Sequence, residues 1–358
     1  MKFGFGTAPV GPKGASDEQV YAQSIVDCEL GVELGYDSAW ALEHHFTPYF
    51  FQPDTIVYMS HLAARFPTLG LGTCVIVLPW QHPLRLAGQI AMLNNLSQGD
   101  LYLGIGRGTA RYEFERLGVD MAETRPRFKE SLEIVRLALK GEPFEYRGEI
   151  FNIPETQVRP RASHPERIHF YGAIGSPASA EIMADLGIPI LQGTNFPDMY
   201  AARFVEEWKA RAKQVGLATE NVELPVMALP TIVAESDAEA LKLANIYYPI
   251  FIRVQMDHYE TAADHWKDIP GYEQFSRMFA NLAKLKEPGP DLDKFLELQL
   301  VGSPDTVVRR LQVMRDTFDV GHVACVFGTY EMEYESRRRS MRLFAEQVIP
   351  HFRRKAAA

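Results

Sequence analysis

The chain has 358 residues, 46% of them hydrophobic and 23% charged, and a formal net charge of −9. This is the composition of an ordinary globular protein, and the acidic balance disfavours nucleic acid or an anionic membrane as the main partner. No apolar run reaches the roughly 18 to 20 residues that span a bilayer, and glycine and proline interrupt "MKFGFGTAPVGPKG" too early for a signal peptide.

Short apolar runs typical of buried strands alternate with helical patterns along the chain. The predicted strands are residues 2–6, a strand ending at Trp40, 69–79, 101–106, 168–173, and the runs "IPIL", "PVMALPTIVA" and "VACVFG". Helices are predicted at 17–34, 82–97, 125–140, from Ser176 onward, 197–215, 237–247, 304–316 and 331–349. Alternation of this kind implies a parallel sheet, and the length favours an α/β fold of the closed (β/α)8 TIM-barrel type, with insertions, over an open Rossmann sheet.

No stretch has the composition of an interdomain linker, so residues 1–358 are predicted to form a single domain. Two segments interrupt the barrel pattern. Residues 144–165 predict a small β excursion, and residues 250–300 are long, aromatic-rich and weakly periodic, which is typical of an active-site lid.

The cysteines and the densest basic run carry less specific information. Cys28, Cys74 and Cys325 are widely spaced and form no CxxC pair, which indicates the reducing cytoplasm and neither a disulfide framework nor a zinc site. Residues Arg337–Arg339 lie beside two glutamates in a helical segment, and we interpret them as a solvated helix face.

The sequence Glu43-His44-His45 follows the second predicted strand, where the active site of a barrel lies. A metal site requires three or four ligands, and no HxH or HExxH motif accompanies the pair, so no metal is expected. One of the two imidazoles can instead be packed among neighbouring aromatic residues. For the other we favour a catalytic role in proton transfer, because a histidine titrates near neutral pH.

Two glycine-containing loops follow later strands and suit a phosphate. "GIGRGT", residues 104–109, lacks the third glycine of a dinucleotide fingerprint, and the polar stretch "TARYEFERLG" that follows predicts a loop without a helix. Its Arg107 and exposed N–H groups favour an anion, although the glycines alone could serve a tight strand exit. In "GAIGSPAS", residues 172–179, a helix N-terminus offers the same chemistry, although capping would by itself explain Ser176. Two such loops and a histidine at one barrel mouth predict a phosphorylated cofactor.

Several of these stretches together resemble the bacterial luciferase-like flavin-dependent monooxygenase family. They are "EHHFT", "GLGTCVIVLPWQHPLRLAGQIAMLNNLSQGDLYLGIGRG", "FERLGVDM", "GSPASAEIMADLGI" and "VGSPDTVVRRL". The resemblance implies a barrel that binds reduced FMN at its C-terminal mouth and forms a homodimer through helices near the second and third barrel units. The light-emitting subunit of the family has a cysteine where this chain has Gly106, so oxygenation without bioluminescence is the expectation.

The resemblance also implies roles for individual residues. His44 would be the catalytic histidine. We expect His45 to orient its loop or to pack beneath it, with Glu43 as a hydrogen-bond partner that fixes its tautomer. Arg107, Ser176 and Ser179 would hold the FMN phosphate, helped by the backbone of Gly175. Cys74 and Val75, with Gly106 nearby, fall where relatives often have a non-prolyl cis peptide behind the isoalloxazine ring.

The leading functional hypothesis is a two-component monooxygenase. A separate, transient flavin reductase would supply reduced FMN, because the chain has no nicotinamide fingerprint. O2 would then add at flavin C4a, and the C4a-peroxyflavin would oxygenate a small apolar organic substrate by Baeyer–Villiger reaction, aldehyde oxidation or hydroxylation. Two alternatives stay open: an F420-dependent oxidoreductase, and a non-catalytic partner subunit like the luciferase β chain.

Overall fold

The computed structural model describes residues 1–193, 201–263, 265–269 and 271–353. Residues 197–200 of the predicted helix 197–215 and residues 354–358 of the predicted domain lie outside this part. The described residues form these strands: β1 Lys2–Gly6, β2 Ser38–Ala41, β3 Gly70–Val77, β4 Leu101–Gly106, β5 Phe144–Arg147, β6 Asn152–Thr156, β7 Ile168–Ala173, β8 Ile190–Gly193, β9 Val226–Val233, β10 Leu300–Gly302 and β11 His322–Val326.

Helices follow most of these strands along the chain. They are α1 Asp17–Glu33, α2 Thr55–Arg65, α3 Pro83–Leu96, α4 Arg111–Leu117, α5 Thr124–Leu139, α6 Pro177–Asp185, α7 Ala201–Gln214, α8 Asp237–His258, α9 Glu273–Leu282, α10 Pro290–Leu296, α11 Pro304–Phe318 and α12 Tyr334–Gln347. The residues just before and within the first turn explain where some of these helices begin. Ser16 and Gln19 form a capping box before α1, and Ser176 caps α6 with Pro177 in its first turn, as predicted.

Eight of the strands close into a parallel barrel in the order β1-β2-β3-β4-β7-β8-β9-β11. Closure is completed where β11 pairs with β1, with Lys2 opposite His322. β8 also pairs with β9, with Leu191 opposite Val226. The (β/α)8 prediction is therefore confirmed. Strands such as β3 and β9 are buried on both faces, which is why they appear in the sequence as unbroken apolar runs.

The segments outside the barrel match the predictions from the sequence less closely than the barrel strands do. β5 and β6 form an antiparallel hairpin within the predicted excursion at 144–165. α8 was predicted to end at residue 247 but runs to His258 in spite of Pro249, because Phe251, Ile252 and Gln255 are buried. The segment 250–300 is therefore largely helical. It ends where β10 begins, and β10 pairs with the carboxyl-terminal half of β9.

The lower end of the barrel interior is filled by aromatic side chains. Trp40 and Tyr102 stack with ring centroids 5.9 Å apart. A Cβ placed on Gly72 would lie 2.4 Å from the Trp40 ring, so only glycine fits beside this indole. Leu191, Val226 and Ala324 complete the same buried cluster.

Polar groups below these rings bind one another. Glu223 accepts hydrogen bonds from Tyr171 and from His169, whose Nδ1 lies 2.5 Å from the carboxylate. His322 Nε2 lies 2.8 Å from Ser38 Oγ. Burial lowers the pKa of His322 to about 3, so its ring is neutral at ordinary pH. We call this set of groups, together with Lys2, Asp100 and Tyr102, the base network.

The prediction for the basic run is wrong for two of its three residues. Arg337 is buried and forms an ion pair with Asp27 of α1, and it donates to the carbonyl oxygen of Val10 at 2.8 Å. Arg338 binds the same carboxylate at 2.7 Å. Of the three, Arg339 alone is on a solvated face, beside Glu235 and Glu239. No helix among the described residues combines the length and apolar character needed to cross a bilayer.

Candidate active site

A cavity of about 240 Å³ opens at the carboxyl ends of the barrel strands. Loops after β2, β3, β4 and β7 line it, and the segment 250–300 contributes Gln255, Tyr259, Gln274, Phe275 and Met278. Every site residue predicted from the sequence lies in its wall: His44, Cys74, Val75, Gly106, Arg107, Gly175, Ser176 and Ser179. The fold therefore assembles the predicted set in one place.

The back wall of the cavity is formed by an irregular part of β3. The peptide bond between Cys74 and Val75 is cis, as the resemblance implied, and the pairing with β4 shifts register between Thr73 and Ile76. A Cβ on Gly106 would lie 2.7 Å from Val75 Cγ2, so the neighbouring strand needs glycine at this point. Burial raises the pKa of Cys74 to about 12, which leaves its thiol neutral.

His44 is one of two histidines bound to a buried glutamate. Glu113, from α4, places Oε1 3.3 Å from His44 Nδ1 and 2.6 Å from the backbone nitrogen of His45. Its Oε2 lies 3.6 Å from Nε2 of His258, the last residue of α8. His258 Nδ1 in turn lies 2.6 Å from Thr47 Oγ1.

Burial of Glu113 would on its own raise its pKa, but the two histidines outweigh this and lower the pKa to about 2. Glu113 is therefore an anion at neutral pH. The pKa of His258 is lowered, chiefly by burial, and Glu113 opposes that shift only in part. One ligand atom from each of His44, Glu113 and His258 lies within 4.8 Å of the others, which is close enough for a metal ion, so the expected absence of a metal stays a prediction.

His45 has a different environment from His44. Its Nε2 lies 3.2 Å from Glu43 Oε1, and its ring packs edge-on against Trp80. Glu43 is buried and also accepts the backbone N–H of Val77 at 2.9 Å. The predicted pairing of His45 with Glu43 is thus present, and it ties the loop after β2 to the end of β3.

Arg107 is held by the segment 250–300. Its Nη2 donates to the carbonyl oxygen of Gly271 at 3.2 Å, and its guanidinium lies 4.8 Å from the Tyr272 ring centroid. Tyr272 donates to the carbonyl oxygen of Gly108 at 3.0 Å. Arg107 Nη1 is buried and has no hydrogen-bond partner among the described residues. A buried, uncommitted guanidinium N–H at the cavity wall fits an anionic group such as a phosphate.

Ser176 and Ser179 bind each other at the start of α6. Ser176 Oγ accepts from the backbone nitrogen of Ser179 at 3.2 Å, and Ser179 Oγ accepts from those of Gly175 and Ser176 at 3.1 and 3.0 Å. Capping therefore accounts for both hydroxyls, whereas the sequence argument assigned it to Ser176 alone. The space beside Gly175 is open, since a Cβ there would meet nothing nearer than Phe275 at 4.0 Å. A phosphate could reach this end of the helix.

Two residues at the centre of the site were missed from sequence. "TARYEFERLG" was predicted as a polar loop, but α4 begins there at Arg111 and buries Glu113 completely. A helix of seven residues is too short to show a hydrophobic period. His258 was missed because the helix that carries it was predicted to end early.

The sequence profile of luciferase-like monooxygenases matches residues 1–320. The chain belongs to this family. The alkanal monooxygenase alpha chain of Photobacterium leiognathi is 25% identical over 350 residues, which cover 96% of each chain. The oxygenase component of the flavin-dependent trigonelline monooxygenase of Acinetobacter baylyi is 26% identical over 244 residues, which cover 66% of each chain. This luciferase-like protein is a flavin-dependent monooxygenase.

Solved structures show the same fold. The monooxygenase RslO1 from Streptomyces bottropensis is 28% identical with a TM-score of 0.82, covering 99% of this chain and 100% of that one. The oxygenating constituent of 3,6-diketocamphane monooxygenase from Pseudomonas putida, a type II Baeyer–Villiger enzyme in complex with FMN, is 20% identical with a TM-score of 0.75 over 98% of each chain. F420-dependent enzymes also have this fold.

Proposed function

We propose that this luciferase-like monooxygenase binds reduced FMN and uses O2 to oxygenate a small apolar organic substrate as the oxygenase of a two-component system. The observation that carries the proposal is Arg107, whose buried Nη1 has no partner among the described residues and lies in the wall of the cavity. Other elements of the same wall supply the N-terminus of α6 and His44.

The distribution of charge favours FMN over F420. F420 has a longer anionic tail, which would require several cationic side chains around the mouth. Among the described residues that line the cavity, Arg107 is the one lysine or arginine. Arg111, the other candidate in the sequence, is directed to Glu260 at 3.4 Å.

In this proposal each part of the cavity wall has a role in binding or catalysis. Bound reduced FMN would supply the electrons that activate O2. Arg107 and the start of α6 would hold its phosphate, with Gly106 and Val75 shaping the wall beside the ring. Tyr259, Phe275 and Met278 present apolar surface that excludes water and suits an apolar substrate. His44 would take or hold a proton at its ring nitrogen.

The segment 250–300 fits the role of a lid over this cavity. Its aromatic residues pack in a buried cluster that also contains Tyr49, Phe50 and Phe114 from the connections after β2 and β4. Within this cluster Trp266 and Phe279 have ring centroids 4.3 Å apart. It also binds the loop after β4, because Trp266 Nε1 donates to the carbonyl oxygen of Thr109 at 3.2 Å. A single domain that contains this lid is the organisation we propose.

A homodimer through the second and third barrel units is supported by exposed apolar side chains. Val57 on α2 is 65% exposed, and Met92 and Leu96 on α3 are 46% and 59% exposed. Such residues are candidates for a subunit interface. The reductase would meet the oxygenase only transiently, and the three free cysteines support a cytoplasmic location.

A non-catalytic role as a partner subunit is less well supported. Such a subunit has no need for an uncommitted arginine N–H or for a histidine bound to a buried glutamate at the mouth. A binding titration on the isolated chain separates the two possibilities, since a purely structural subunit would not bind reduced FMN.

The decisive experiment is anaerobic titration of the protein with reduced FMN, reduced riboflavin and reduced F420, followed by mixing with O2 and candidate substrates. We expect FMN to bind more tightly than riboflavin, which lacks the phosphate, and more tightly than F420. After mixing, an aldehyde or cyclic ketone should gain one oxygen atom per flavin oxidised. Preferential binding of F420, or flavin oxidation without oxygenation of any carbonyl or hydrocarbon tested, would contradict the proposal.

A further inference from the structure

Glu113 occupies an unusual place between two imidazole rings. Its carboxylate is buried, with the side chain only 1% exposed, and the two histidines approach it from different parts of the chain. His44 comes from the loop after β2, and His258 comes from the last turn of α8. His44 also lines the cavity, whereas the His258 ring is fully buried.

The protons in this cluster can be assigned from its chemistry. An ionised carboxylate only accepts hydrogen bonds, so Nδ1 of His44, which lies 3.3 Å from Glu113 Oε1, carries a proton. Nε2 of His258 lies 3.6 Å from Oε2, beyond hydrogen-bond distance, and the negative carboxylate favours a proton on this nitrogen. A neutral His258 then has its lone pair on Nδ1, which accepts from the hydroxyl of Thr47 at 2.6 Å. The same hydroxyl oxygen accepts the N–H of Tyr49 at 3.3 Å, and a hydroxyl can accept one hydrogen bond while it donates another.

We propose that Glu113 and His258 are positioning residues that hold His44 in its Nδ1–H form, so that its Nε2 presents an unprotonated lone pair to the cavity. Nε2 lies on the side of the ring opposite Nδ1, away from Glu113. This inference rests on the proposed function in one respect, because the oxygenation reaction would supply the proton that His44 accepts.

The arrangement has a consequence for the lid. Glu113 Oε1 is fixed by the backbone of His45, but its Oε2 has no hydrogen-bond partner among the described residues and lies 3.6 Å from Nε2 of His258. His258 lies within the segment 250–300 that we propose as a lid. When this segment packs over the cavity, His258 would therefore complete the contacts that hold Glu113 and His44 in place.

The same three groups could instead bind a metal ion, and the two arrangements require opposite proton positions. A metal would take the lone pairs of His44 Nδ1 and His258 Nε2, and the protons would then lie on the other nitrogen of each ring. The protonation pattern of His44 therefore separates the two.

The first test is NMR of the flavin-free protein labelled with ¹⁵N-histidine, with signals assigned from His44→Gln and His258→Gln. We expect His44 to carry its proton on Nδ1 and His258 on Nε2, with no change on adding EDTA or zinc chloride. The reverse pattern, or a loss of these signals with zinc, would overturn the proposal. Because no flavin is present, this result does not depend on the proposed function.

The second test is kinetic. Glu113→Gln introduces an amide N–H that can face either ring, so it should disturb the His44 tautomer and lower kcat by roughly 10². KM for substrate and the Kd for FMN should be nearly unchanged, and Glu113→Asp should restore part of the rate. His258→Phe keeps the ring that stacks on Tyr49 at 4.8 Å and should cause a smaller loss.

Glu130→Gln is the matched control. Glu130 is also buried, but it accepts the backbone N–H groups of Glu149, Ile150 and Phe151 beside the β5–β6 hairpin. This variant should lose stability and keep kcat and the His44 tautomer. Equal losses of kcat in Glu113→Gln and Glu130→Gln, each measured on folded protein, would show a structural effect only. If the wild type oxygenates nothing while the tautomers are as expected, the proposed function fails and the positioning role stands.

Discussion

The two ends of the barrel carry the same kinds of side chain in different settings. In the base network, His169 and Tyr171 bind Glu223, and the His169 ring stacks on Tyr102 with centroids 5.4 Å apart. At the mouth, His44 and His258 bind Glu113, but His44 also forms part of a cavity wall. A histidine–carboxylate pair is therefore not in itself a sign of catalysis. Glu223 also lines a surface pocket, with Trp208 and Leu224, so exposure to a pocket does not distinguish the two pairs. The pair at the mouth differs because its cavity also contains Arg107 and the start of α6, which suit an anionic ligand.

The largest loss of activity is expected for His44→Ala. If the mouth carries the chemistry, turnover should fall by roughly 10² or more, the usual contribution of a positioned proton-transfer group. FMN affinity should change little, because the phosphate loops follow other strands. Steady-state turnover and flavin binding, measured in one buffer, check this expectation.

His45→Ala is the companion variant. His45 is bound to Glu43 and packs on Trp80, so we expect a lower melting temperature with most of the turnover retained in the protein that stays folded. A well-folded but inactive His45→Ala, beside a nearly silent His44→Ala, would mean that the roles of the two histidines are reversed.

Arg107→Ala tests the anion site at the mouth. Losing one charge-assisted contact should weaken reduced FMN binding by about 1.5 to 3 kcal/mol. Arg116→Ala, which removes an exposed arginine from α4, is the control and should bind FMN like the wild type. In the double variant with Ser176→Ala the losses should be non-additive, because both groups would serve one phosphate. Additive losses would place the serine and the arginine at separate sites.

A pH titration of stability addresses the base network. His322 has a folded pKa of about 3, whereas an unfolded histidine titrates near about 6.5. The unfolded chain thus binds one more proton below that pH, and the free energy of unfolding should fall by about 1.4 kcal/mol per pH unit as pH drops from about 6.5 toward about 3.

Urea unfolding at several pH values, compared between wild type and His322→Gln, isolates this contribution. The wild type should have the steeper dependence on pH, and turnover at neutral pH should be the same in both proteins. Parallel curves would show that His322 does not control the acid sensitivity of the base network.

The smallest effect is expected for Lys2→Ala. Lys2 Nζ lies 2.6 Å from the Tyr102 hydroxyl and 3.5 Å from Asp100, but its side chain is 52% exposed. An exposed ion pair of this kind contributes no more than about 1 kcal/mol. Urea unfolding should show a change within that limit and assays no change in turnover. A loss of activity in Lys2→Ala would contradict the view that the base network only stabilises the fold.

The barrel and the wall of the cavity were predictable because their signals are local. Buried parallel strands appear as continuous apolar runs, and His44, Arg107 and Ser176 each follow directly after such a run or open the next helix. The proton-transfer cluster was not predictable in full. Glu113 lies on a helix of one or two turns, and His258 lies on a helix that the sequence analysis ended before Pro249. Arg337 was misjudged for a similar reason, since its partner Asp27 belongs to a distant helix.

The ion pair between Arg337 and Asp27 has a consequence for the order in which the chain can fold. It joins α1 to α12, which is synthesised much later. Until α12 is in place, a carboxylate destined for burial has no cation beside it, and a buried charge without a partner costs several kcal/mol. The early helices must therefore keep Asp27 in contact with water during synthesis. The ring of helices around the barrel is therefore fully stabilised only after α12 has packed against α1.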